Sequence, residues 1–543
     1  MKKKYILIPA LAGLLITAGC DKNFEEINTD PTKLNSASMN YNFLFTTAEL
    51  VTSGNSDANA YEDWRGNLIY ASTMVQHLSS TTGYWAGDKY TLNGGYLSAY
   101  WDVNYPNSIK NITDIIENVK SNPNQTNFYN ISRIFKVFMF QRMTDLYGDI
   151  PYSQSGQAYL SQNLTPVYDS QESIYADMLK ELDEAAAALN AASPNTVGAA
   201  DMLYGGDVSK WKKFAYSEML RLAMRLIKVK PQDAKTWAAK AAAGGVMTAI
   251  SDNAILQHPN LAPQNNLANG TGSVLISQDP NATRISKTFM DYLKSSGDPR
   301  TRFIATLVTP SNIGTNTDPA VPGYDANTNT IDYGDTTVTK QLGQPNGYDV
   351  TGTRGINTAP NWPGAQYKYS VVNRYTVARF EAPTFFLTAA ETQLLLAEAA
   401  ERGYVSGSAA TFYTAGVTAA MQQFAQYNLG AVSGINVPAS EIAYFLSKNP
   451  YAGGAAGISQ INTQYWVASF GDEYEAWTNW RRSGIPALTP VAAYPGNATN
   501  GTIPRRYTYP TNEAAVNPQN YQDAVNRLSG GDKMTSRVWW DKQ

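Results

Sequence analysis

The chain has 543 residues, and 42 Lys and Arg against 45 Asp and Glu give it a formal net charge of −3. This balance argues against nucleic acid as a partner, because phosphate binding needs a basic face. Set against a charged fraction of only 16%, the 35 Tyr and 11 Trp residues predict broad aromatic contact surfaces.

The amino-terminal segment predicts export and lipid attachment. A lysine-rich start precedes the apolar stretch 5–18, and Cys20, the only cysteine, follows after one glycine. These are the parts of a secretory signal, and a cysteine after small residues resembles a bacterial lipobox. The alternative is a buried cysteine in a transmembrane helix, but the stretch is shorter than the ~20 apolar residues that a span needs. We therefore predict a signal peptide over residues 1–19 and a lipidated Cys20.

Apolar residues recur at helical spacing over much of the remaining chain. The predicted helices cover residues 39–50, 61–78, 109–119, 129–146, 171–189, 207–229, 234–243, 385–402 and 410–427. Several come as pairs with short polar connections, and Gly403 stands where a helix C′ glycine belongs. We expect a mostly α-helical fold, in which degenerate tetratricopeptide-like helix pairs form a right-handed stack.

Residues 251–382 differ from the predicted helical segments. They are rich in Asn, Gly, Pro, Thr, Asp and Tyr, and show helical spacing only near 286–293. A long segment without regular helices is usually functional, so we expect a large, irregular, loop-rich ligand face. The predicted organisation is a tether over 20–38 and a single domain over 39–543, with a helical scaffold at 39–250 and 383–485, a loop-rich insertion at about 251–382 and an irregular carboxyl-terminal region at 486–543.

Motifs for catalysis, cofactors and metals are missing from the sequence. The two histidines, His77 and His258, stand apart from any metal-binding pattern, and no phosphate-binding loop or serine nucleophile elbow occurs. We therefore predict no enzyme activity, no cofactor and no metal. Glycoside hydrolysis needs only two carboxyl groups and stays open as an alternative. Glu398 and Arg402 are expected to form an i, i+4 pair on a solvated helix face.

Several short runs, spread over nearly the whole mature chain, carry a family resemblance. They are residues 24–31 (FEEINTDP), 144–152 (TDLYGDIPY), 166–175 (PVYDSQESIY), 201–207 (DMLYGGD), 394–399 (LLLAEA), 475–484 (EAWTNWRRSG) and 503–510 (IPRRYTYP). In these runs the chain resembles the SusD/RagB-like family of nutrient-binding outer-membrane lipoproteins, and more specifically its Bacteroidetes SusD-like branch.

The resemblance implies a lipid-anchored protein on the surface of the outer membrane. Such a protein binds oligosaccharides and delivers them to a TonB-dependent, SusC-like barrel transporter without catalysis. Its expected partners are that transporter, an oligosaccharide, and the membrane through the lipid, and no nucleic acid is expected. A member that binds peptides or other nutrients is the first alternative, and a surface glycosidase or lyase or a structural adhesin is a weaker one.

The densest group of aromatic residues outside the predicted helices lies at 83–90. Its glycines predict a loop that exposes Tyr84, Trp85 and Tyr90, and exposed aromatic rings suit the C–H faces of sugars. The resemblance places an aromatic platform in such a loop and a hydrogen-bonding arginine at Arg65. The alternative is that Trp85 packs against the scaffold.

A second aromatic candidate lies in the irregular region. Trp362 has proline on both sides, which disfavours regular structure, and Tyr367 follows it. We predict that both contact glycan. Four other tryptophans are assigned to core or interface packing: Trp477, Trp480, Trp539 and Trp540.

Overall fold

The computed structural model describes residues 39–55, 60–261, 266–308, 324–325, 330–331, 333–350, 354–430, 432–491 and 494–542. Residues 42–543 form one compact unit, and residues 1–41 belong to a separate one. The predicted signal peptide, Cys20 and the tether lie outside the described residues. Among the helices within these ranges, none is both long and apolar enough to cross a membrane.

Helices make up most of the regular structure, which confirms the predicted fold class. The longer ones are α1 (Tyr41–Thr52), α2 (Lys110–Val119), α3 (Thr126–Tyr147), α4 (Gln171–Ala188), α5 (Val208–Arg225), α6 (Pro231–Gly244), α7 (Lys287–Ser295), α8 (Ala389–Glu401), α9 (Ala409–Gln422), α10 (Ala439–Lys448), α11 (Gly454–Ala468), α12 (Glu473–Ser483) and α13 (Pro518–Arg527). Single-turn helices are Gly94–Leu97, Ala99–Asn104, Ala158–Ser161, Gly270–Ser273, Thr301–Ile304 and Glu513–Val516, and π-helical turns are Asp63–Ser72, Tyr105–Ile109 and Val274–Gln278.

The helices begin and end at side chains suited to those positions. Asp207 accepts hydrogen bonds from the backbone of Ser209 and Lys210 at the start of α5. Thr388 and Glu391 form a reciprocal capping box at the start of α8. That helix ends before Gly403, whose φ of +69° favours glycine, as predicted.

Neighbouring helices pack side by side in a tetratricopeptide-like arrangement. Helices α2 to α6 pack in sequence, each against the next, and α8 packs against both α5 and α9. Helix α11 then lies against α8 and α12. Aromatic rings fill the interior among helices α2 to α6. There Phe135 and Phe138 contact Phe386, which lies in the strand directly before α8. The scaffold is therefore continuous across the loop-rich insertion.

The strands are short and form two-stranded antiparallel sheets. They are β1 (Leu78–Ser80), β2 (Ile150–Pro151), β3 (Tyr168–Asp169), β4 (Ala254–Leu256), β5 (Thr283–Ile285), β6 (Ala305–Thr306), β7 (Tyr324–Asp325), β8 (Thr330–Ile331), β9 (Val371–Val372) and β10 (Thr384–Leu387). The pairs are β1 with β5, β4 with β10, β2 with β3, β6 with β9 and β7 with β8. Two of these pairs, β1–β5 and β4–β10, tie the insertion to the helical scaffold.

A buried network of charges joins α5 to α12. Arg225 donates to both oxygens of Glu475, at 2.6 and 2.7 Å, and its Nε lies 3.5 Å from Asp145 in α3. Trp540 donates its indole N–H to the same aspartate at 2.8 Å. The runs 144–152 and 475–484, which carry the family resemblance, therefore meet inside the scaffold.

Two expectations about the scaffold are wrong. Glu398 does pair with Arg402, at 2.8 Å, but it is only 1% exposed because Arg482 donates to it at 2.7 Å from α12. The carboxyl-terminal region also contains a regular helix, α13, whose one fully buried side chain, Ala524, leaves little apolar pattern to recognise.

The assignment of tryptophans to packing is confirmed for Trp477, Trp480 and Trp540, which are each at most 8% exposed, while Trp539 is half-buried and contacts Tyr175.

Candidate functional site

The loop at 83–90 is held tightly against the scaffold. Gly87 lies so close to the Asp63–Ser72 helix that a Cβ there would overlap the Ile69 carbonyl oxygen and the Thr73 hydroxyl. This close approach draws the adjacent residues inward. Trp85 is 0% exposed and Tyr90 is 1% exposed.

The expectation that this loop exposes all three rings is therefore wrong for Trp85 and Tyr90. Tyr90 is a structural residue, because its hydroxyl accepts the Val491 N–H at 3.0 Å and its carbonyl accepts the Ala498 N–H at 2.8 Å. Tyr84 alone keeps an open surface, at 44% exposed. The alternative that Trp85 packs against the scaffold is the one that the structure shows.

Asp279, in the turn after the Val274–Gln278 helix, accepts hydrogen bonds from both Tyr84 and Trp85. Trp85 donates its indole N–H to this carboxylate at 2.6 Å, and the Tyr84 hydroxyl donates to the same oxygen. Burial raises the pKa of Asp279, and the hydrogen bonds from the two rings oppose that rise. The carboxylate therefore fixes the orientation of the exposed Tyr84 ring.

Arg65 lies among aromatic rings on the neighbouring helix. Its guanidinium carbon is 4.3 Å from the ring centroid of Tyr61, 5.0 Å from that of Trp64 and 5.4 Å from that of Tyr96. Its Nη1 is buried and has no hydrogen-bond partner among the described residues. Trp64 is close enough to Asp279 to lower the pKa of that carboxyl. Arg65 is thus connected to Asp279 through the Trp64 ring.

Gln278, directly before Asp279, has an unsatisfied side chain. Its amide nitrogen and oxygen are both buried, and neither has a partner among the described residues. Buried polar groups are normally hydrogen-bonded, and leaving one unpaired costs about 1–3 kcal/mol. We use the name Asp279 surface for Tyr84, Trp85, Arg65, Gln278 and Asp279. Together they comprise one exposed ring, the carboxylate that binds it, and two side chains with buried polar atoms that have no partner among the described residues.

The second predicted aromatic group is half-buried. Trp362 packs on a small apolar cluster with Tyr369, with ring centroids 5.9 Å apart, and Tyr348 lies against the same cluster. Tyr367 packs instead against Val308 and Val371. The two predicted residues therefore rest on separate clusters.

A chain of hydrogen bonds and charges links this region to the loop at 83–90. The backbone N–H of Gly347, next to Tyr348, donates to Asp88 at 3.2 Å. The buried Lys89 lies 3.5 Å from Asp349, which accepts the Tyr494 hydroxyl at 2.9 Å.

Sequence reasoning missed several members of this face. Asp279 and Gln278 follow an apolar run and have no aromatic neighbour in sequence. No sequence pattern therefore predicts that they lie near the loop at 83–90. Arg354, whose guanidinium carbon lies 4.3 Å from the Tyr348 ring centroid, was also missed. Arginine near tyrosine in the same irregular segment was the one available signal. The chemistry of the face is aromatic contact beside planar hydrogen-bonding groups, which suits a polar, ring-shaped ligand.

The protein thus combines a helical scaffold with a face on which an exposed aromatic ring lies next to polar side chains. A family profile described as "SusD-like_2: Starch-binding associating with outer membrane" matches residues 35–510. The chain therefore belongs to the SusD-like family, whose members are associated with the outer membrane. No curated protein matches the chain.

Solved structures support this assignment along almost the whole chain. A chitin-binding protein superposes with a TM-score of 0.76 at 33% identity, covering 93% of this chain and 100% of that one. A SusD-like protein from Bacteroidetes has a TM-score of 0.75 at 28% identity, with the same coverage. A chitin-binding SusD homolog from Flavobacterium johnsoniae has a TM-score of 0.70 at 26% identity, covering 92% of this chain and 99% of that one.

Proposed function

We propose that this protein captures glycans at the Asp279 surface and passes them to a TonB-dependent, SusC-like barrel transporter without cleaving them. The observation that carries the proposal is the exposed Tyr84 ring, whose hydroxyl donates a hydrogen bond to Asp279. A sugar ring would stack on the exposed face of Tyr84. The family profile is described as starch-binding, and two similar structures are described as chitin-binding.

Trp362 and Tyr367 are proposed as an outer part of the same glycan surface. The cluster under Trp362 also carries Tyr348, whose neighbour Gly347 is hydrogen-bonded to the loop at 83–90. A glycan longer than one or two units would reach both places. A shorter one would touch the Asp279 surface alone.

Calorimetry with chitin- and starch-derived oligosaccharides tests the proposal. Tyr84 is 44% exposed, which corresponds to about 90 Å² of surface that a glycan could contact. Loss of this contact in Tyr84→Ala should cost about 1–2 kcal/mol and weaken glycan binding roughly 5- to 30-fold. Tyr444→Ala is the matched control, because this tyrosine is 64% exposed on α10 and belongs to neither aromatic group.

The length of the oligosaccharide separates the two aromatic groups. Trp362→Ala should weaken binding of hexasaccharides and leave disaccharides unchanged. Equal affinities for the wild type, Tyr84→Ala and Trp362→Ala would contradict the assignment of the surface. Binding of peptides, but of no oligosaccharide in the panel, would favour the peptide-binding alternative.

Three further measurements address the absence of catalysis, the lipid anchor and the transporter. Chromatography of oligosaccharides after prolonged incubation should show no product, and release that is lost in a carboxylate variant would favour the glycosidase alternative. Replacement of Cys20 by Ala should move the protein from the membrane fraction to the soluble fraction. Affinity purification from the native outer membrane should recover a barrel protein, and its absence would contradict delivery to a transporter.

A further inference from the structure

An acidic cavity lies apart from the Asp279 surface. It has a volume of about 60 Å³ and lies between the start of the Asp63–Ser72 helix, the start of α8 and the turn before α12. Four carboxyl groups line it, those of Glu62, Asp63, Glu391 and Asp472. Arg142 is the one cationic side chain among its lining residues. The lining therefore carries more acidic than basic groups.

Two of the carboxyl groups have no cationic partner. Arg142 is paired with Asp472 at 2.6 Å, and Glu391 lies 3.4 Å from Arg221 behind the lining. Glu62 accepts only the Tyr474 hydroxyl, while Asp63 accepts hydrogen bonds from Thr271 and Asn67. Among the described residues, no cationic nitrogen lies within ion-pair distance of either group.

Burial raises the pKa of Glu62 to about 8 and that of Asp63 to about 7. Burial therefore favours the protonated form of both carboxyl groups, and the charge of Arg142 opposes this effect only in part. A bound cation would supply the missing positive charge and release those protons.

Two buried polar atoms on the cavity lining also lack a partner. Thr52 is 2% exposed and its Oγ1 makes no hydrogen bond, and Gln423 is 7% exposed with an unpaired Oε1. Both side chains border the cavity, and neither atom has a partner among the described residues. Buried oxygens of this kind are normally hydrogen-bonded, so these two indicate a ligand that donates hydrogen bonds.

Aromatic rings complete the lining. Phe385, Tyr427, Phe470 and Tyr474 all border the cavity. Rings attract organic cations through their faces, and carboxylates attract them through charge. In the described part of the chain, no three His, Cys, Asp or Glu side chains are arranged to hold a metal ion. The lining therefore suits an ammonium group better than a metal.

We propose that the acidic cavity is a second binding site, which takes a protonated primary amine between Glu62, Asp63 and the aromatic lining. The ammonium group would donate hydrogen bonds to the free oxygens of Thr52 and Gln423. The ammonium group of an amino sugar is the source that fits a glycan-binding protein, and this choice of source alone rests on the proposed function. The ammonium site itself does not depend on it.

Calorimetry and thermal-shift measurements with methylammonium, glucosamine and N-acetylglucosamine test the site. The first two probes carry a positive charge and should bind and raise Tm, while the neutral N-acetyl sugar should not do so through this cavity. Glu62→Gln should weaken the binding of both charged probes at least tenfold. Thr52→Val, which replaces only the hydroxyl by a methyl group, should weaken their binding severalfold. Glu49→Gln is the matched control, since Glu49 is also buried with a raised pKa but does not line the cavity.

The outcomes separate this site from the glycan surface. Tyr84→Ala should leave methylammonium binding unchanged, so failure of the proposed function would not affect this result. Binding of both charged probes supports an amino sugar as the ligand, and binding of methylammonium alone supports a smaller amine. No binding of either, or binding that is equal in Glu62→Gln, Thr52→Val and the wild type, would overturn the proposal.

Discussion

The buried ion network between α5 and α12 predicts a large, pH-dependent loss of stability when Glu475 is replaced by Gln. Both carboxylate oxygens accept hydrogen bonds from Arg225, and the Nε of Arg221 lies 3.8 Å away. Both arginines are 0% exposed. A glutamine would keep the shape of the side chain but would leave two buried guanidinium groups short of negative charge.

The magnitude follows from the pKa of Glu475. Burial alone would raise it, but Arg225 and Arg221 outweigh burial and lower the pKa to about 2 from its ordinary value of 4.5. Because the folded value lies below the unfolded one, this stabilisation is complete above pH 4.5 and is lost as the pH falls towards 2. The difference corresponds to about 3 kcal/mol, within the roughly 3–5 kcal/mol that breaking a buried ion pair costs.

Urea unfolding at several pH values measures this effect. Glu475→Gln should lower the free energy of unfolding by about 3–5 kcal/mol at pH 7, and the gap to the wild type should shrink below pH 4.5. Glu184→Gln is the matched control, because Glu184 pairs with Arg133 at 2.8 Å but is half-exposed, so its loss should cost at most about 1 kcal/mol. If both variants lost the same small amount at pH 7, the reasoning would be refuted.

Three further predictions concern the candidate site and the loops around it. Gly87→Ala should lower the free energy of unfolding by about 1–3 kcal/mol, because the added methyl group overlaps the Ile69 carbonyl oxygen, and an unchanged Tm would contradict this packing. Trp85→Phe should cost about 1–2 kcal/mol of stability through the lost bond to Asp279, and glycan affinity should fall less than in Tyr84→Ala. Burial lowers the pKa of His258 to about 4, so its stabilisation is complete above pH 6.5 and about 3 kcal/mol is lost as the pH falls towards 4; His258→Gln should remove that dependence, and an NMR titration midpoint near 6.5 would disprove it.

Much of the fold could be predicted because helical periodicity is a local signal. The predicted segments 109–119 and 171–189 differ from the observed α2 and α4 by one residue at most at either end. The predicted helix at 61–78 is less accurate at its end: residues 61–74 are helical, with a π-helical segment at Asp63–Ser72, and the chain then enters β1. There the backbone meets β5, more than 200 residues later in the chain, and no local pattern reports that pairing.

The candidate site was harder to predict because burial depends on residues distant in sequence. Glycines around Trp85 suggested an exposed loop, yet Gly87 serves to let the loop approach a helix backbone closely. The partner of Trp85, Asp279, lies 194 residues away. Residue type correctly indicated Tyr84 as a ring with a free face, but it could not separate that ring from its buried neighbour.

Glu398 and Glu62 show why charge patterns alone do not indicate a binding site. Glu398 was expected in solvent, but two arginines surround it and hold its pKa at about 2 against the effect of burial. Glu62 is buried to a similar degree without any cationic partner among the described residues, and its pKa is raised to about 8. The first arrangement is complete without a ligand and serves the scaffold. Glu62 has no such cationic partner in the part of the chain that the structure describes. We therefore expect a cationic ligand in the acidic cavity and not at the ion pairs of Glu398.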